Sequence, residues 1–155
     1  MAHGLQSFAI DGAQFRTPDA PELREYYGSA NTSTVRQSTY PVMRLVALMN
    51  LGCHILLNAV TAPYQRSETV LAHTMLATIP DHSITLFDKL FYSAEWLLTL
   101  NQQGCNRHWI LPAWKNIASE TEERYGLGDR HLKLKVSPQA RKKNPSLPEF
   151  WYAGR

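Results

Sequence analysis

The chain has 155 residues, of which 44% are hydrophobic and 19% are charged. This length and balance suit one globular domain with a buried core and exclude a disordered chain. No apolar run reaches the roughly 20 residues that a membrane helix needs, and the first residues lack the basic and apolar stretches of a signal peptide. We therefore expect a cytoplasmic protein with no membrane segment. Cys53 and Cys105 are predicted to be buried free thiols.

Charge is distributed unevenly along the chain. Residues 1–129 contain 12 acidic and 9 basic residues, whereas residues 130–155 contain 7 basic residues and 1 acidic residue. A basic end of this kind can bind a polyanion such as DNA. A solvated tail that binds nothing explains the charge equally well.

The first half of the chain predicts three strands. Residues 5–16 read as a strand that ends near Asp11, and residues 17–39 read as a polar loop with room for a short helix at Glu22–Tyr27. Two apolar runs follow, Tyr40–Asn50 and His54–Ala62. Because only a short segment containing glycine separates these runs, a hairpin is the favoured interpretation.

The second half alternates helices and strands. Ser67 has the properties of a helix N-cap, and the helix that it begins ends at Pro80. A short buried strand, Ile84–Phe87, is followed by Asp88. Ser93 begins a second helix, which ends at Gly104 and whose inner face contains Trp96, Leu97 and Leu100. Another short strand begins at Arg107.

The predicted order is therefore β-β-β-α-β-α-β, which is the order of a ribonuclease H-like mixed sheet. Residues 1–112 form this α/β core. The remaining residues, 113–155, have a different pattern from the α/β core. They predict a short helix at Trp114–Arg124, a half-exposed strand at His131–Val136 and a loop with three prolines at 137–149.

Asp11 and Asp88 each follow an apolar run that we predict to be a strand. In an open α/β sheet, ligands gather beyond the carboxyl ends of parallel strands. Two neighbouring carboxylates there would suit a hard divalent cation, which prefers oxygen ligands. An aspartate at the end of a strand is also a common turn or cap residue, so the pattern alone leaves both interpretations open.

The segment Asp88-Lys-Leu-Phe-Tyr-Ser resembles the second-acid motif of DDE transposases of the insertion-sequence-four family. Ala9–Gly12 with Phe15–Asp19 resembles the first-acid region of that family. Three further segments resemble the family in the right order: Tyr40–Val46, Ser67–Ala72 and Val136–Pro145. The resemblance spans almost the whole chain.

The resemblance implies a ribonuclease H-like core that binds Mg²⁺ or Mn²⁺, hydrolyses a DNA strand at transposon ends and joins that end to target DNA. Asp11 and Asp88 match the first two catalytic, metal-binding acids. The third acid of the family lies in a Tyr-x2-Arg-x3-Glu-x6-Lys motif that is absent here. The resemblance therefore implies a core truncated within the β insertion that precedes the last catalytic helix, and residues 113–155 would be the start of that insertion.

Three hypotheses follow from the absence of the third acid. The first is an incomplete and inactive transposase core. The second is a non-catalytic module that binds DNA, or pairs with a second copy or a full-length transposase, and thereby inhibits it. The third is a nuclease that some other acid completes. Glu68 is interpreted as a helix-dipole or surface residue. The candidate DNA-binding residues, whose phosphate contacts should be salt-sensitive, are Lys89, Lys133, Lys135, Arg141, Lys142 and Lys143.

Overall fold

A mixed β-sheet forms the larger part of the chain. The computed structural model describes residues 4–31, 37–112, 114 and 117–154. Within them the main sheet has six strands: β1 Gln6–Arg16, β2 Ser29–Asn31, β3 Gln37–Asn50, β4 Leu56–Pro63, β5 Ser83–Phe87 and β6 Arg107–Ile110. Their order is β2-β3-β1-β5-β6, and β4 also pairs with β3. The β1–β3 and β3–β4 pairs are antiparallel, whereas β5 runs parallel to both β1 and β6.

Three helices connect these strands: α1 Pro21–Tyr27, α2 Glu68–Met75 and α3 Ala94–Gln102. The hydroxyl of Ser67 accepts from the amide of Val70, and the hydroxyl of Ser93 accepts from the amide of Trp96. Both predicted N-caps are confirmed, because each hydroxyl satisfies a backbone N–H that has no partner within the helix. A short 3-10 helix extends α2 through Leu76–Thr78.

The two faces of the main sheet differ. On the covered face, Phe8, Ile10 and Phe87 are buried beneath α2 and α3, in one core with Trp96 and Leu97. The opposite face is called the open face here. There Ala9 lies beside Leu86, and Leu86 lies beside Ile110; the side chains of Leu86 and Ile110 are 39% and 53% exposed. The described residues therefore bury only one side of this sheet.

A second, three-stranded antiparallel sheet follows, with order β7-β8-β9. Its elements are β7 Ser119–Arg124, β8 Arg130–Lys135, α4 Pro138–Lys143 and β9 Phe150–Gly154. Trp151 is buried, and its ring lies 5.8 Å from that of Trp109 and 6.1 Å from that of Tyr92. These aromatic contacts attach the small sheet to the end of the main sheet.

The order β1-β3-β4-α2-β5-α3-β6 confirms the predicted mixed α/β sheet, and its directions are those of a ribonuclease H-like core. Residues 1–3 and Arg155 lie outside the described residues. No helix in the described part of the chain is long and apolar enough to cross a membrane.

Several local predictions were wrong. The first strand does not end near Asp11 but continues to Arg16, because β3 pairs with it that far. Ser119–Arg124 is a strand rather than part of a helix, since it pairs with β8. The predicted loop at 137–149 contains α4. Cys53 and Cys105 are free, as expected, but exposed rather than buried.

Candidate active site

The parallel pairing of β1 with β5 brings the two predicted acids to one edge of the sheet. The paired register ends with Ile10 opposite Phe87. Asp11 and Asp88 are the next residue of each segment, and both are exposed. Ile10 and Phe87 point to the covered face, so the alternation of extended backbone directs both carboxylates to the open face. This edge is at the carboxyl ends of the parallel strands, where open α/β sheets bind ligands.

Asp11 lies within β1, opposite the small residue Ala47 of β3. Its Oδ1 atom accepts a hydrogen bond from the amide of Gly12 at 2.8 Å. This bond leaves its other carboxylate oxygen available to a ligand above the open face.

Asp88 directly follows β5 and is the N-cap of a 3-10 helix, Lys89–Phe91. Its carboxylate accepts from the amide of Leu90 at 3.2 Å, and its carbonyl accepts from the amide of Phe91 at 3.0 Å. Phe91 is buried against Phe87, with ring centroids 5.8 Å apart. Buried aromatic rings thus hold the backbone on both sides of Asp88.

Trp96 of α3 packs against the rings of both Phe87 and Phe91 in the core. Its ring lies 4.5 Å from Phe87 in an edge-on arrangement and 5.8 Å from Phe91. Tyr92, immediately after the 3-10 helix, is half-buried, and burial raises the pKa of its hydroxyl.

Glu68 does not lie with the two aspartates. It occupies the first turn of α2, on the covered face, where Arg44 of β3 donates to it at 2.9 Å. Within the described residues, no group of three His, Cys, Asp or Glu side chains could hold a metal ion. The structure thus places Asp11 and Asp88 at one edge of the sheet, and the described residues add no third acid to them.

The predicted DNA-binding residues fall into different environments. Lys133 lies 3.8 Å from both Glu120 and Glu122, and Lys135 lies 3.8 Å from Glu149. These acids therefore offset part of the positive charge of β8.

The other cations are more available. Lys89 adjoins Asp88 and lies 5.2 Å from the centroid of the Trp114 ring. The last turn of α4 contains the exposed side chains of Arg141, Lys142 and Lys143, and within the described residues none of the three forms an ion pair.

The family model of the transposase DDE domain matches residues 3–151, almost the whole chain. The chain belongs to the DDE transposase family. Members of this family generally depend on a divalent metal ion.

Two proteins of Escherichia coli (strain K12) are similar in sequence. InsZ, whose name marks it as a candidate transposase, is 86% identical over 121 residues, which are 78% of this chain and 40% of InsZ. Transposase InsG for insertion sequence element IS4 is 38% identical over 144 residues, which are 93% of this chain and 32% of InsG. The relationship to the insertion-sequence-four family that the motifs predicted is confirmed. The chain spans well under half the length of either relative.

One solved structure, a cryo-EM structure of the piggyBac transposase synaptic complex with hairpin DNA, shares 11% identity. The match covers 95% of this chain and 32% of that chain, with a TM-score of 0.48. This TM-score is too low to show a common fold by itself.

Proposed function

We propose that the chain supplies the first two acids of a transposase core, in which Asp11 and Asp88 hold a divalent cation, Mg²⁺ or Mn²⁺. The proposal is carried by one observation. The register of β1 and β5 ends at Ile10 and Phe87, so the two aspartates follow as neighbours at the carboxyl edge.

The donor set suits such an ion. Carboxylate oxygens are the ligands that Mg²⁺ and Mn²⁺ prefer, and Mg²⁺ is often bound through only one or two carboxylates together with phosphate oxygens. Two adjacent carboxylates repel each other unless a cation lies between them. A bound ion would stabilise negative charge on the phosphate during DNA cutting and joining. Asp11 and Asp88 would hold and orient that ion.

We further propose that this chain alone does not cut or join DNA. Two carboxylates without a third ligand bind a divalent ion weakly, and the described residues offer no third acid. Strand transfer would need that acid in addition to Asp11 and Asp88.

The test is Mn²⁺ binding, measured by calorimetry and by the paramagnetic signal of the free ion. We expect weak binding that Asp11→Ala or Asp88→Ala removes. Asp129→Ala, in the exposed turn between β7 and β8, is the matched control and should bind as the unchanged chain does. Binding that survives Asp88→Ala would contradict the site. Cleavage of transposon ends by this chain would contradict the need for a third acid.

A second candidate function is sequence-independent DNA binding, which would let the chain act as an inhibitor of a complete transposase. The exposed cations of α4 favour it. Replacing Arg141, Lys142 and Lys143 together by alanine should weaken DNA binding and reduce its dependence on salt concentration. Replacing Lys133 and Lys135, which lie beside acids, should weaken binding less. Absence of any DNA binding at low salt would rule this function out.

A further inference from the structure

Behind the candidate metal site, an ion pair lies on the covered face of the main sheet. Arg44 donates from Nη1 to Oε1 of Glu68 at 2.9 Å, and the two side chains are only 15% and 19% exposed. The guanidinium carbon also lies 5.3 Å from the centroid of the Tyr64 ring. Because the pair is largely removed from water and stacked on a ring, Glu68 is held in one position.

The Glu68 carboxylate lies directly against Gly12. A Cβ atom added at Gly12 would lie 2.4 Å from Cδ and 2.7 Å from Oε2 of Glu68. Real atoms do not approach so closely, so the Glu68 carboxylate occupies the space that a side chain at position 12 would need. Gly12 therefore permits the close approach of Glu68, and a side chain there would displace the carboxylate; no turn needs this glycine, since its φ is not positive.

Gly12 is also the residue that orients Asp11. Its amide donates to Oδ1 of Asp11 at 2.8 Å. Arg44 therefore holds Glu68, Glu68 lies against Gly12, and the amide of Gly12 donates to the carboxylate of Asp11. Arg44 and Glu68 support this backbone from one face of the sheet, and Asp11 projects from the other.

We propose that Glu68 and Arg44 are positioning residues for Asp11. By fixing the backbone of Gly12 they set the direction of the Asp11 carboxylate and so the affinity of the metal site. This inference rests on the proposed metal-binding function of Asp11. It replaces the interpretation of Glu68 as a helix-dipole or surface residue.

The chain offers a matched control for helix-end effects. Glu95 lies in the first turn of α3, two residues after the N-cap Ser93, as Glu68 lies in the first turn of α2, one residue after the N-cap Ser67. Among the described residues it forms no ion pair, and it does not lie over a glycine. Glu95→Ala therefore removes a helix-end charge without removing a support for Asp11.

The test compares Glu68→Ala, Glu68→Gln, the double variant Glu68→Ala/Gly12→Ala, and Glu95→Ala. Two properties are measured: the affinity for Mn²⁺, and the resonance and hydrogen-exchange rate of the Gly12 amide in the metal-free protein. Removal of an outer support of a metal ligand commonly costs at least about tenfold in affinity. We expect a loss of about this size for Glu68→Ala, with a shifted and faster-exchanging Gly12 amide.

The other variants test the cause of this loss. Glu68→Gln should retain most of the affinity, because its amide oxygen still accepts from Arg44. The double variant should recover part of the loss, because the methyl group added at position 12 takes the space that the carboxylate left. Glu95→Ala should change neither property.

The resonance and exchange rate of the Gly12 amide test the proposal whether or not a metal ion binds. An unmoved amide in Glu68→Ala would overturn it, as would a lowered melting temperature with unchanged Mn²⁺ affinity. If the unchanged chain shows no Asp11-dependent Mn²⁺ binding, the proposed function fails while the amide measurement still tests the support of Asp11. If Glu68→Ala does not fold, Gly12→Ala alone must disturb the Arg44–Glu68 pair; an unaffected pair would overturn the proposal.

Discussion

Trp96 is the residue whose replacement best tests how Asp88 is anchored. Its side chain is 2% exposed and contacts the rings of Phe87 and Phe91, which lie on either side of Asp88. Trp96→Ala removes a buried aromatic side chain, which typically costs about 3–5 kcal/mol. At about 2–4 °C per kcal/mol for a chain of this size, the melting temperature should fall by about 6–20 °C.

Trp96→Phe separates packing from hydrogen bonding. The indole nitrogen of Trp96 is buried, and no hydrogen-bond partner is recorded for it among the described residues. The smaller ring buries about 50–100 Å² less, which costs about 1–2 kcal/mol. Removing an unpartnered buried donor raises the free energy of unfolding by about 1–3 kcal/mol. We therefore expect Trp96→Phe to destabilise the chain by no more than about 1 kcal/mol, and so much less than Trp96→Ala.

Urea and thermal unfolding followed by circular dichroism measure both effects. Trp114→Ala is the control, because Trp114 is 45% exposed and contacts Lys89 across the surface. Trp114→Ala should lower the free energy of unfolding by no more than about 1 kcal/mol. If Trp96→Phe destabilised the chain as much as Trp96→Ala, the reasoning about the unpartnered nitrogen would be refuted.

Four further predictions concern stability. Arg107, whose side chain is 8% exposed, donates to Asp81 at 2.8 Å, so Arg107→Ala should lower the melting temperature; an unchanged value would show that this pair is not stabilising. The amide of Cys105, and then Arg107, lower the pKa of Asp81, so its contribution is present above about pH 4 and is lost as the pH falls through its lowered pKa; Asp81→Asn should weaken this acid dependence. Burial lowers the pKa of His73, so the unfolded chain takes up a proton first and stability should fall as the pH drops below about 6.5; a His73→Gln variant with the same pH profile would contradict this. Ser93→Ala should cost about 1 kcal/mol in urea unfolding, because the amide of Trp96 loses its cap.

Much of the fold could be read from local patterns. Ser67 and Ser93 mark helix starts by their chemistry, and the apolar runs of the main sheet are separated by recognisable turns. The start of α4 was also readable, since Ser137 caps it and Pro138 occupies its first turn. The prolines of this segment instead favoured the incorrect loop prediction.

The strand Ser119–Arg124 could not be read in this way. All six of its side chains are exposed, so it has no apolar alternation. Its conformation comes from pairing with β8, where Lys133 lies between Glu120 and Glu122. The same pairing decides that the positive charge of β8 is partly offset, which the count of basic residues could not show.

The sequence by itself indicated the order β1-β3-β4-α2-β5-α3-β6 and the family, because apolar runs, helix caps and family motifs each depend on residues close together in the chain. It also singled out Asp11 and Asp88 as candidate ligands. Only the tertiary structure decided that Ile10 pairs with Phe87, which makes Asp11 and Asp88 neighbours on the open face. It also placed Glu68 behind Gly12 with Arg44 as its partner. Such contacts join strands and helices that are distant in sequence, and their register is set by how the core packs rather than by any local pattern.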